Sequence, residues 1–255
     1  MLRYEVARSV ATITIDDPDR MNPLSNPVMA MLGEAVERSA ADERVRVVVV
    51  TGAGDRAFSA GGDLAGGFVD RPLADHGARG ALAELFRSMH RCPKPIVARV
   101  NGHALGGGFG LLAAADIAVA VRGAKLGTPE IAVGLWPMMI TAVLLPLAPR
   151  RPLLEMMLTG RTIDADEAER LGIVNRAVDR ERLDDAVDDI VERLAAQSPA
   201  AIGLGKRAFY AVADMDADTA LDHLHAGLTA LAMTEDAAEG IAAFVGKRAA
   251  RWRGR

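Results

Sequence analysis

The chain has 255 residues, half of them hydrophobic and a quarter charged, with aromatics at only 4%. That length and apolar content fit one large domain or two small ones and exclude a disordered, collagen-like or coiled-coil chain. Thirty basic against 34 acidic residues leave a net charge of −4, which disfavours a general nucleic-acid binder, and the single cysteine, Cys92, excludes an intrachain disulfide and a cysteine-rich metal site.

The first twenty residues lack the apolar core and small-residue cleavage site of a secretory signal and are too acidic for a transit peptide. No window approaches the roughly 20 apolar residues that span a bilayer. The expectation is a cytoplasmic protein without membrane contact. Residues 10–16 (VATITID) alternate as a strand and end in the turn residues Asp17, Pro18 and Asp19. Ser25 and Asn26 before Pro27 are a helix start, and Val28, Met31, Leu32, Ala35 and Val36 then share one helical face to about Ala40. Residues 45–51 (VRVVVVT) read as a strand covered on both sides. Helical spacing returns over 78–90, residues 96–100 (IVARV) form the next strand, 111–115 a short helix and 117–120 another strand. Strands alternating with helices predict an α/β class with parallel pairing.

Beyond Leu153 the pattern becomes helical, with elements expected from Pro152, from an Asp164 cap, and over 181–197, 199–212 and 216–244. After about Asn175 no β-rich run exceeds four residues, so the C-terminal part is read as a helical layer against the first part or another copy of the chain. The expected division is 1–195 and 196–255.

Two glycine-rich turns carry the chemical information: residues 57–64 (AFSAGGDL) and 101–110 (NGHALGGGFG), each after a strand and before a helical pattern. Glycines there let the backbone approach a ligand and leave amide N–H groups pointing at it. If the two turns converge, they make a two-donor pocket for a developing negative oxygen. A dinucleotide fingerprint and a phosphate loop are both missing from these turns.

The two turns, followed by ADIAVA and LGTPEIAVGLWP, resemble the enoyl-CoA hydratase/isomerase (crotonase) family. DRMNPLS, VRVVVVTG, KPIVARVNG, LTGRTIDADEAERLGIVNRAV and the closing EGIAAFVGKR extend the likeness over almost the whole chain. The resemblance implies a crotonase-like spiral of β-β-α repeats, a helical C-terminal region that builds trimers or hexamers (dimers of trimers), and a coenzyme A thioester as substrate. It implies no tightly bound cofactor and no metal. By motif position the oxyanion-binding amides are those of Ala60 and Gly107. The backbone of Ser59, Ala60, Gly61, Gly62, Asp63 and Leu64 is expected to hold the adenine and pantetheine end of the coenzyme. Asp63 at the mouth of the turn reads first as a helix N-cap.

A two-carboxylate hydratase of this family places one Glu two residues past the last glycine of the second turn and another in the later PE segment. Here the second is Glu130, whereas Gly110 occupies the first position and Leu111 to Ala115 are all apolar. Asp116, six residues on, is read as structural. Water addition divides proton work between two acids, whereas moving a double bond needs one base that takes a proton at C2 and returns it at C4. A lone Glu130 therefore favours a double-bond isomerase or an atypical single-Glu lyase. The alternatives are a 2-enoyl-CoA hydratase and a non-catalytic relative that binds acyl-CoA or RNA. On its helix, Gly110→Glu is expected to be accepted, because Glu is the better helix former by roughly half a kcal/mol or more.

Trp136 and its neighbours 137–140 (PMMI) replace glycines of many family hydratases and divide between acyl-pocket shape and core packing. Arg20 and Lys247 stand at the family positions for coenzyme A phosphates, and Phe244 is expected to cover the adenine from a neighbouring subunit. Met29, Met31, Met156 and Met157 are assigned to the core. His103 is assigned to a backbone-satisfied packed role. His223 and His225, at i,i+2 on a helix, do not face each other and make no metal pair. Arg251 to Arg255 read as a frayed basic tail after a helix C-terminus.

Overall fold

Two sheets organise the first two thirds of the protein. The computed structural model describes residues 1–63 and 73–255. The strands are β1 (Leu2–Ala7), β2 (Val10–Ile15), β3 (Val47–Gly52), β4 (Ala57–Ser59), β5 (Ile96–Val100), β6 (His103–Leu105), β7 (Ile117–Val121), β8 (Leu126–Gly127), β9 (Thr162–Ile163) and β10 (Arg176–Val178). A six-stranded sheet has the order β1-β2-β3-β5-β7-β10, and a four-stranded sheet the order β4-β6-β8-β9. Pairing is parallel except for β1 with β2 and β8 with β9.

The helices are α1 (Asn26–Ala41), α2 (His76–Arg79), α3 (Ala81–Arg91), α4 (Gly107–Ala113), α5 (Met138–Leu144), α6 (Arg150–Thr159), α7 (Ala165–Arg170), α8 (Leu183–Ala195), α9 (Pro199–Ala211), α10 (Ala217–Ala232) and α11 (Glu235–Val245). The chain therefore repeats one move: a strand in the larger sheet, a strand in the smaller, then helix. β3-β4-α2/α3, β5-β6-α4 and β7-β8-α5 are three such turns. The glycines of the two turns follow the smaller-sheet strands: Gly61 and Gly62 come after β4, and Gly106, Gly107 and Gly108 after β6.

Burial explains the strands. All six residues of β3 are buried, as a central parallel strand covered on both faces requires, while β2 alternates half-buried and buried. Ser25 caps α1 by accepting the Val28 amide, and Asp164 caps α7 by accepting that of Glu167. Met29, Met156 and Met157 are core residues, but Met31 is 36% exposed, so that one assignment fails at the rim of α1.

Several boundaries differ from the sequence reading. The helix expected at 111–115 starts at Gly107, because Gly106 (φ 52) turns the chain into it at once. The helix expected over 216–244 is two: it breaks after Ala232, and Thr234 caps α11 by accepting the Ala237 amide. A short side chain that bonds the backbone there outweighs a continuous apolar period. The tail is not frayed. Asp236, 1% exposed, accepts hydrogen bonds from the amides of Arg253 (2.7 Å) and Gly254 (3.0 Å) and from the Ser198 hydroxyl (2.7 Å). Trp252 donates its indole N–H to the Ala196 carbonyl and packs over Gly240.

α8 packs on β3, β5 and β7 of the larger sheet. The helices that follow are tied back to it through α9. Lys206 places its ammonium 2.7 Å from Asp116 and bonds the carbonyls of Met89 and Lys94, and Tyr210 donates to Asp116 at 2.8 Å. Asp116 also accepts the Ile96 amide, so it holds the start of β5 to α9. Among the described residues, no helix is long and apolar enough to cross a membrane.

Candidate active site

The corners after β4 and β6 meet back to back. Gly61 (φ 91) lies so close to the second turn that a Cβ on it would stand 2.5 Å from the Leu105 carbonyl oxygen and 3.1 Å from the Gly107 nitrogen. Only glycine fits both that φ and that approach. From the other side, the Gly62 nitrogen lies 3.7 Å from where a Cβ on Gly107 would be. Leu24 forms the third wall: its amide donates to the Gly61 carbonyl, and its Cδ1 lies 3.4 Å from that same Gly107 position.

The amides divide into engaged and open. The Ala60 amide donates to the Met21 carbonyl at 2.9 Å, and the Gly61 amide to Ser59 Oγ at 3.1 Å. Neither is available to a ligand, which corrects the expectation that Ala60 supplies an oxyanion donor. Ser59 is wholly buried and builds the turn from inside, so it offers no ligand surface. Among the described residues, the Gly62 and Gly107 amides meet no acceptor. Gly107 is the first residue of α4, where the N–H groups have no partner within the helix. Gly62 and Gly107 thus supply one open amide from each corner among the described residues.

Two buried asparagines, unnoticed in the sequence, hold this geometry. Asn22, in the left-handed region at φ 56, donates to the Ala53 and Ala57 carbonyls and accepts the Asp17 amide. Asn101 accepts the Gly52 amide and donates to the Gly54 and Ala57 carbonyls. Both are written in the motifs DRMN and NGHALGGG, but a motif does not state that its polar side chain is spent on the backbone of another.

Glu130 follows β8 in a 3-10 turn, Pro129–Val133, and reaches across to the second corner. A Cβ on Gly106 would lie 2.8 Å from its Oε1, which brings the carboxylate against the residue preceding Gly107. Its Oε2 is buried with no hydrogen-bond partner among the described residues. Burial pushes the Glu130 carboxyl above the ordinary carboxylate range. Among the described residues, no acid is placed on α4 to face it. A Cβ on Gly110 would meet Phe86 Cζ at 2.7 Å and Ile140 Cγ1 at 3.0 Å, so the place of a second carboxylate is filled by apolar side chains. This corrects the expectation that the position accepts Glu readily.

The remaining candidates are more dispersed. Arg20 binds Asp63 at 2.7 Å and approaches Asp17 at 3.6 Å, so Asp63 serves the DRMN turn. Leu64, and the helix that Asp63 was expected to cap, lie outside the described residues. Trp136 is half-buried against the main core, with Pro137 and Ile140 buried beside it. Phe244 is 84% exposed on α11, and Lys247 follows at φ 50; among the described residues, no hydrogen bond, ion pair or ring contact joins either to Glu130 or to the glycine corners. His103 accepts the Lys125 amide at Nδ1. Among the described residues, no cluster of His, Cys, Asp or Glu is arranged to hold a metal ion.

Comparison with known proteins agrees with this architecture. The family profile described as Enoyl-CoA hydratase/isomerase matches residues 5–255. A carnitinyl-CoA dehydratase from Salmonella typhi is 36% identical over 254 residues, covering 96% of this chain and 95% of the relative. The crystal structure of an enoyl-CoA hydratase from Mycobacterium smegmatis superposes with a TM-score of 0.94 at 34% identity, covering 98% of both chains. Human enoyl-CoA hydratase domain-containing protein 3 gives 0.94 at 28% identity over 98% of this chain and 99% of that one. The chain belongs to the enoyl-CoA hydratase/isomerase family and has its crotonase fold.

Proposed function

We propose that the protein acts on coenzyme A thioesters by stabilising an enolate of the acyl group. The thioester oxygen is received by the amides of Gly62 and Gly107, and Glu130 removes and returns protons at the acyl carbons. Two amides aimed at one oxygen, away from bulk water, favour the charge that develops there. A carboxylate whose pKa is raised by burial is a stronger base near neutral pH than an exposed one.

The observation that carries the reading is that the Glu130 carboxylate lies against Gly106, the residue before the Gly107 amide, while Phe86 and Ile140 fill the place of a second acid at Gly110. That arrangement favours double-bond isomerisation or a lyase step run by a single Glu. Hydration or dehydration is the second reading, favoured by the 36% identity to carnitinyl-CoA dehydratases. Lys247 and Phe244, from the C-terminal helices, are the candidates for the coenzyme's phosphates and adenine in an assembled trimer or hexamer. Arg20 must leave Asp63 before it can take part. A cytoplasmic location, with no nucleic-acid or membrane partner and no tightly bound cofactor, belongs to the same reading.

The test is turnover of the purified protein on 2-enoyl-, 3-enoyl- and aromatic enoyl-CoA. Conversion of 3-enoyl to 2-enoyl thioester without net water addition is the expected result for the isomerase. Inactivity on the whole panel, with acyl-CoA still bound, would identify a binding relative instead.

A further inference from the structure

All seven residues of α4 are buried, and its first turn carries almost no side chain: Gly107, Gly108 and Gly110. Gly106 and Gly110 stand one turn apart on the same side, because the Gly110 amide donates to the Gly106 carbonyl at 3.0 Å and side chains four apart share a helix face. That face has two unlike ends. At its N-terminal end a Cβ on Gly106 would lie 2.8 Å from Glu130 Oε1. One turn on, a Cβ on Gly110 would lie 2.7 Å from Phe86 Cζ and 3.0 Å from Ile140 Cγ1.

The apolar end is fixed in place. Phe86 comes from α3 and Ile140 from α5; α5 packs on both α3 and α4. Each side chain is only 4% exposed. α4 cannot draw back from them, because a Cβ on Gly108 would run into the Ser59 carbonyl oxygen of β4 on another side of the helix. A thioester whose oxygen is held by the Gly107 amide and whose C2 lies at Glu130 therefore has the rest of its acyl chain directed toward Phe86 and Ile140. One helical turn rises about 5.4 Å, roughly the reach of four extended carbon–carbon bonds. Counted from C2, the chain meets the Phe86 ring at about the sixth carbon. A close-packed pair of this kind yields poorly to added methylenes, and it offers no hydrogen bond to a polar chain end.

We infer that Phe86 and Ile140 are the specificity-determining residues of the acyl site: they form its end wall and restrict the substrate to apolar acyl groups of about four to six carbons. The inference rests on the placement of the thioester between Gly107 and Glu130, and it adds the substrate class to that reading.

The test is the affinity of the intact protein for acetyl-, butyryl-, hexanoyl-, octanoyl- and decanoyl-CoA by calorimetry, with coenzyme A alone as the reference. An open apolar channel would tighten binding by about fourfold for each buried CH2. The wall predicts a rise through butyryl- and hexanoyl-CoA, then a fall of about tenfold or more by decanoyl-CoA. Turnover of the matching 2-enoyl and 3-enoyl thioesters should follow the same order in kcat/KM. Phe86→Ala should move the fall to longer chains and raise the decanoyl-to-butyryl affinity ratio by about tenfold or more. Phe86→Leu and Ile140→Val, which keep most of the core volume, should raise that ratio by about twofold to fivefold, and they carry the test where Phe86→Ala does not fold. Wild-type affinity that keeps rising to decanoyl-CoA overturns the inference, as does an unchanged ratio in the folded variants. Equal loss at every chain length with a lower melting temperature assigns both residues to packing alone and equally overturns it. The expected binding profile without turnover of any enoyl-CoA supports the wall and overturns the catalytic reading of Glu130. No gain of butyryl-CoA over coenzyme A alone overturns the placement of the thioester, and the wall with it.

Discussion

Glu130 is set by the 3-10 turn that carries it: against a glycine, with one oxygen buried and unpaired among the described residues. Glu130→Gln keeps the volume and removes the base, so turnover should fall by roughly a hundredfold to ten-thousandfold. Coenzyme A binding, measured by calorimetry, should persist; its loss would make Glu130 a structural residue. The pH dependence has a definite sign. Desolvation raises the folded-state pKa above the ordinary 4.5, so proton abstraction should increase with pH through a value higher than 4.5. The same shift means that the folded state holds this proton more tightly than the unfolded chain. The stability it contributes is complete below the ordinary value and is lost as pH rises through the folded-state value. Melting temperatures of wild type and Glu130→Gln should therefore diverge with pH in that window, the wild type falling relative to the variant.

Gly110 shows two magnitudes in competition. Helix propensity favours Glu over Gly by roughly half a kcal/mol or more. Overpacking a filled core costs about 1–3 kcal/mol, and here the added Cβ alone would stand 2.7 Å from Phe86. Packing should win, and Gly110→Glu should be destabilising by chemical denaturation. Combined with Phe86→Ala, its cost should be smaller than the sum of the single changes by about 1 kcal/mol or more. Simple additivity of the two would show that Phe86 does not occupy the acid's place.

At the scale of elements, the glycine corners work because two strands from one sheet and a helix start converge there. Gly107→Pro tests the open amide at a helix position where proline is tolerated. Removing one such donor should cost on the order of 3 kcal/mol of barrier, about a hundredfold in turnover, with the circular dichroism spectrum unchanged. A folded variant with unchanged turnover would take Gly107 out of the site. The C-terminal clamp is a second element-scale device. Burial raises the Asp236 pKa, but the Arg253 amide, the Ser198 hydroxyl and the Gly254 amide outweigh that and hold it low. Asp236→Ala leaves those donors unmatched and should cost about 2–4 kcal/mol, seen as a lower denaturation midpoint and faster proteolysis of the tail. A tail as protease-resistant as the wild type's would mean that Trp252 alone holds it.

For the whole molecule, the C-terminal helices present more apolar surface than one chain covers. Leu221, Leu228, Met233, Ile241, Phe244 and Val245 are each more than 60% exposed. Exposed apolar side chains in such number are what an interface between copies of the chain would cover. The expected state is a trimer or a dimer of trimers, measured by light scattering at micromolar concentration; a monomeric mass would overturn it. The smaller sheet shows the same dependence on the whole. Its strands have two or three residues each and cannot stand alone, yet they aim Glu130 and both glycine corners because the larger sheet fixes where each begins.

Much of this was written in the chain. The apolar run of β3, the Ser25 and Asp164 caps and the strand–helix alternation follow from local periodicity and capping chemistry, and motifs in their order carried the family. Glu130 and Gly107 could be named from the same motifs, because glycine-rich corners and an acid beside proline are visible as letters. Tertiary structure decided the rest. It spent the Ala60 amide on Met21 and left that of Gly62 open among the described residues, since only the fold says which N–H already has a partner. It filled the place beside Gly110 with Phe86 and Ile140, side chains 24 and 30 positions away in sequence. It latched the tail onto Asp236. Sequence determines what a segment prefers and which groups it offers; whether a group is open, paired or blocked depends on neighbours that approach only when distant segments pack.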